Sequence, residues 1–89
     1  MRELIAIAER IPQPTPDEIL KARKAAGLTQ KQAAELVSPA RKAGYKTWAG
    51  YEMSSGTNRR AIPLATWELF LLLTDQHPGF RLISKREEL

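Results

Sequence analysis

GLTQKQAAELV, Gly27 to Val37, followed by GYKTWAGYE, Gly44 to Glu52, is the stretch on which the fold turns. Gly27 can take the left-handed conformation that stops a preceding helix. Thr29 with Gln32 three residues on is a capping-box pattern that starts another. Ala33, Ala34 and Val37 then give that helix a narrow apolar face, and small side chains let a neighbouring helix approach closely. In the second segment Trp48 and Tyr51 stand three apart and can face inward, while Tyr45, Lys46 and Ala49 share a different, outer face. Two short helices in this order predict a helix-turn-helix.

Upstream, Thr15 followed by Pro16, Asp17 and Glu18 is a helix start. It supplies a hydroxyl N-cap, proline at the first helical position and a glutamate that can reach back. The helix presents Ile19, Leu20, Ala22, Arg23 and Ala26 before Gly27 ends it, and Leu28 is expected to pack over that turn. Residues 1–14 form a separate N-terminal segment whose Pro12 and Pro14, with Pro16 just beyond, make a stiff connector. Within it, Leu4, Ile5, Ala8 and Ile11 would line one side of a helix, while Ile5 and Ile7 also suit a strand.

Downstream, Ser38 to Gly44 is a long turn and 53–62 a loop by composition. Pro63 opens a helix over 63–75, with Leu64, Trp67, Phe70, Leu71 and Thr74 on one stripe and Leu69, Leu72 and Leu73 on the other sides. A helix apolar nearly all round must be covered on more than one face. His77, Pro78 and Gly79 end it, and Phe80, Leu82 and Ile83 suit a short strand in the tail 77–89. The expected fold class is therefore a small all-α domain of four to five helices over 15–76, with short terminal strands at most.

The chain has 89 residues and no cysteine. Such a chain buries only about 60–65% of its unfolded surface, so its core is thin and pairing with a second copy would help it. Without thiols there is no disulfide framework, which fits a reducing compartment, and the cytoplasm is expected. The longest apolar run, Leu69 to Leu73, is far shorter than the roughly 20 residues of a membrane span, and acidic Glu3 sits where a signal peptide would be basic. Net charge is +4, distributed as +1 over residues 1–28, +4 over 29–60 and −1 over 61–89. The basic excess falls on the two short helices and their flanking loops, as expected of a surface that attracts polyanions.

Catalysis is not expected. His77 is the only histidine and, before Pro78 at a helix end, reads as a C-terminal cap or dipole partner. The pairs Asp17 and Glu18, and Glu87 and Glu88, are adjacent rather than on one helical face. No phosphate-binding glycine loop or zinc pattern is present, and neither metal nor cofactor is expected.

Leu20 to Glu52 resembles the Xre/Cro family of helix-turn-helix repressors. That family's pattern of Arg in the first helix, GLTQ, Ala in the second and an aromatic pair ending in Glu stands here as Arg23, GLTQ, Ala34, Trp48 and Tyr51-Glu52. The later loop and hydrophobic helix are similar to the tails of small phage and mobile-element members, including regulators that sit beside anti-CRISPR or toxin genes. Two features depart from the pattern. Ser38 stands at the usual turn glycine, with about four extra residues before Gly44, and Ala49 and Gly50 occupy positions where the family often carries Gln or Arg.

The resemblance implies a lambda-repressor-like fold, with Tyr45, Lys46 and Ala49 toward bases and Gln30 and Thr47 toward phosphates of double-stranded DNA. Charge and position add Arg41, Lys42, Arg59 and Arg60 as phosphate contacts. The resemblance also brings Arg23 within reach of Glu52, where guanidinium and carboxylate can pair bidentately. The expected function is a homodimeric, sequence-specific repressor that binds an inverted repeat through helix 44–52. Trp67, Phe70 and Leu71, or their neighbours Leu69 and Leu73, are expected at the dimer interface. The rival expectation is an antitoxin or adaptor-type interaction module that keeps the fold and grips another protein.

Overall fold

Local capping chemistry sets both ends of the second helix, the start of the third and the end of the fifth. The computed structural model describes residues 4–38 and 44–85, and within them five helices follow one another: α1 (Ile7–Arg10), α2 (Pro16–Ala25), α3 (Gln30–Val37), α4 (Gly44–Tyr51) and α5 (Leu64–Leu73). Among the described residues there is no strand. Phe80 to Ile83 therefore run as coil, which corrects the expected C-terminal strand.

Both capping boxes form. Thr15 Oγ1 accepts from the Glu18 amide at 3.1 Å while Glu18 Oε1 accepts from the Thr15 amide at 2.8 Å. Thr29 and Gln32 make the same reciprocal pair at 3.1 and 2.9 Å. Gly27, at φ 73°, ends α2 in a Schellman turn: the Leu28 amide donates to the Arg23 carbonyl and the Gly27 amide to that of Lys24. The end of α5 repeats the device with Asp75 at φ 57°, the Gln76 amide reaching the Leu71 carbonyl at 2.7 Å.

One core joins these helices. α3 packs closely on α4, and α5 crosses α3 and α1. Ala33 and Ala34 are buried on the inner face of α3, where short side chains permit the approach. Trp48 of α4 is 1% exposed and meets Phe70 at a ring-centroid distance of 4.9 Å, and Phe70 stacks on Trp67 at 6.0 Å. Ile11, Ile19, Ile62 and Leu71 complete the buried set. Trp67, Phe70 and Leu71 are thus interior residues of one subunit, which corrects their expected place at a dimer interface. A single chain covers that stripe, with Trp48 of α4 on Phe70 and the N-terminal segment against α5.

The N-terminal segment is more than a connector. Its helix is one turn long and turns Ile7 and Ile11 toward the core, whereas Leu4, Ile5 and Ala8 are exposed, so of the expected helical face only Ile11 lies inward. Gln13 Nε2 donates to the Ile62 carbonyl at 2.8 Å, and Arg10 donates to the Ile5 carbonyl. Arg10 also grips Glu68 of α5 bidentately, at 2.8 Å from Nε and 2.6 Å from a terminal nitrogen.

Glu68 accepts from His77 as well, Nε2 to Oε2 at 2.9 Å. His77 Nδ1 accepts from the Gly79 and Phe80 amides, each at 3.0 Å. Two donors on Nδ1 place the ring proton on Nε2, where it points at Glu68. His77 therefore holds the turn that follows α5 rather than capping its carbonyls, correcting its expected role. The Arg10 hydrogen bond, against a burial cost and helped by His77, holds the Glu68 carboxyl down to about 2 from an ordinary 4.5. A carboxylate depressed on folding contributes stability that is complete above pH about 4.5 and lost as pH falls toward 2. In acid titrations of the denaturant midpoint, Glu68→Gln should lose stability less steeply than the wild type across that window. Parallel curves would contradict this.

Candidate nucleic-acid interface

Glu52, just past the last turn of α4, is the residue on which three elements converge. Arg23 from α2 donates to it through Nε at 2.6 Å and a terminal nitrogen at 3.0 Å, and its other terminal nitrogen reaches the Leu28 carbonyl at 2.9 Å. Gln30 Nε2 from α3 donates at 3.1 Å and Trp48 Nε1 at 2.6 Å. The Arg23 and Glu52 side chains are 13% and 6% exposed, so the pair is largely removed from water. Burial alone would push the Glu52 carboxyl up; the bonds from Arg23, Gln30 and Trp48 outweigh it and leave the group below its usual range. The pair thus ties the C-terminal end of α4 to the α2–α3 turn.

The same α3 contact turns the opposite side of α4 outward. Tyr45 and Lys46 are exposed and Thr47 and Ala49 half-buried, and all four line one open depression together with Met53, Asn58 and Arg60 from the following loop. The loop arrives there because position 50 is glycine. A Cβ on Gly50 would lie 2.6 Å from the Asn58 carbonyl oxygen, and the Arg60 amide donates to the Gly50 carbonyl at 3.1 Å. No side chain fits in that space without moving backbone.

The site residues expected from sequence divide into four groups. Tyr45, Lys46, Thr47, Ala49 and Arg60 share the depression. Arg59 lines a neighbouring groove with Pro14, Pro16 and Tyr51 on the side of the loop that faces the N-terminal connector, and Arg60 borders both that groove and the depression. Gln30 is half-buried and one N–H of its amide donates to Glu52. Arg41 and Lys42 lie outside the described residues.

Asn58, Met53 and Gly50 were missed as members of this surface. A glycine inside a short helix was the available signal, because it forfeits helix propensity and therefore marks a close approach. Among the described residues no three His, Asp or Glu side chains gather as metal ligands, and no helix is long and apolar enough to cross a membrane. No protein-family model matches the chain, and neither a curated protein nor a solved structure does.

Proposed function

We propose that the chain is a sequence-specific DNA-binding regulator, a repressor that sets α4 into the major groove. The observation that carries this reading is the outward face of α4. Its outer side chains meet Arg60 and Asn58 in one depression while its inner side is locked to the scaffold through Glu52. A rigid helix that presents a lysine and an aromatic ring beside flanking cations has the parts that base reading and phosphate anchoring require. Lys46 suits the O6 and N7 acceptors of guanine, and the Tyr45 ring suits a thymine methyl.

The test is selection of bound fragments from a random duplex pool, followed by affinity measurements over a range of salt. Lys46→Ala should relax preference at one position of each half-site, costing about 1–3 kcal/mol of discrimination there. Arg60→Ala should weaken binding to all sequences and flatten the salt slope by about one. Equal affinity for random and selected duplexes at physiological salt would defeat the reading.

The partner we propose is a second copy of this chain, which would place two α4 helices on half-sites about 10 base pairs apart in an inverted repeat. Leu4, Ile5, Leu72, Phe80 and Leu82, with the charged Arg10, Glu68 and Arg81 among them, line a largely apolar groove where both terminal segments meet α5. Leu69 and Leu73 flank Leu72 on α5 and are 41% and 42% exposed. At roughly 100 Å² each, these apolar side chains offer on the order of 700 Å², near the about 800 Å² per partner of a standard interface. The same groove is what favours the second reading, an antitoxin or adaptor-type module whose partner is a different protein.

A further inference from the structure

The C-terminal half of α4 offers no polar side chain beside Tyr45 and Lys46, because Ala49 has none and Gly50 is buried under the loop. What covers that end of the helix is the turn from Gly56 to Arg59, closed by the Arg59 amide on the Gly56 carbonyl at 3.3 Å and held down by the Arg60 amide on the Gly50 carbonyl. Asn58 sits in this turn, exposed, on the rim of the depression that holds Tyr45 and Lys46.

Nothing in the backbone requires asparagine there. Its φ is not in the left-handed region, where Asn is favoured over other side chains. Among the described residues its side-chain amide makes no hydrogen bond, so donor and acceptor both face outward unspent. We propose that Asn58 is a specificity-determining residue that reads an adenine in the same half-site as Lys46. The proposal rests on the DNA-binding reading above. A carboxamide carries one acceptor and one donor side by side, which match the N6 amino group and N7 of adenine in the major groove. The loop thereby supplies the base-reading amide that Ala49 and Gly50 do not, and the crossing at Gly50 fixes its position relative to Lys46.

The experiment is fragment selection from a random duplex pool with the wild type and Asn58→Ala, with thermal melts of both to confirm an unchanged fold. The expected result is a wild-type motif in which one adenine per half-site becomes indifferent in the variant. Affinity for the wild-type site should fall roughly 10- to 100-fold, while affinity for random duplex and the salt slope stay as they were. An unchanged motif would overturn the proposal and leave the DNA-binding reading intact. So would a loss shared by every sequence with a flatter salt slope, since Asn58 would then be a phosphate contact. A wild type that selects no motif overturns both.

Discussion

Glu52→Ala should lower the stability of the domain by about 3–5 kcal/mol, the loss associated with removing one partner of a buried ion pair. The substitution strands more than Arg23. Gln30 and Trp48 also donate to this carboxylate, and a buried donor left without an acceptor carries its full desolvation cost. A domain of this size has only about 5–15 kcal/mol in total, so the denaturant midpoint should fall far enough to be read without ambiguity. An exposed pair would be worth about 0–1 kcal/mol, and an unchanged midpoint would show that water screens the site. Because Glu52 joins the end of α4 to the α2–α3 turn, DNA affinity is expected to fall with stability in this variant.

The second large effect separates the inside of α5 from its outside. Phe70 is 0% exposed, between Trp48 and Trp67, and Phe70→Ala should cost about 3–5 kcal/mol through lost transfer energy and the cavity it leaves. Leu69→Glu with Leu73→Glu alters only the outer face. Within one subunit this should cost roughly 1 kcal/mol or less, since half-exposed surface substitutions away from special features are mild. It should, however, turn a dimer into a monomer in sedimentation at tens of micromolar. A wild type that sediments as a monomer there, with and without DNA, would rule out the proposed second copy. A small effect of Phe70→Ala would mean that the aromatic stack is not the core.

Local sequence determined both ends of α2 and the start of α3. Thr15 with Glu18 and Thr29 with Gln32 are capping pairs three residues apart, Gly27 ends α2, and the spacing of Ala33, Ala34 and Trp48 marks the inner faces of α3 and α4. These features depend on interactions within one turn of helix, so their chemistry is complete in a short window of sequence. The pairing of Arg23 with Glu52 across 29 residues was legible only through a family resemblance.

Tertiary structure decided everything that depends on which loop lies on which helix. It put Ile11 in the core and Arg10 and His77 on Glu68, so a stripe that looked too apolar for one chain was covered by Trp48 of α4 together with that chain's own ends. It turned the Gln30 amide to Glu52, brought Arg60 but not Arg59 to the α4 depression, and laid Asn58 beside the outward face of α4 by way of Gly50. Hydrophobic burial is non-directional: a periodic stripe says that a face will be covered and does not say by what. The covering partner is chosen by packing between segments far apart in the chain, and only there does a polar side chain acquire the neighbours that fix its role.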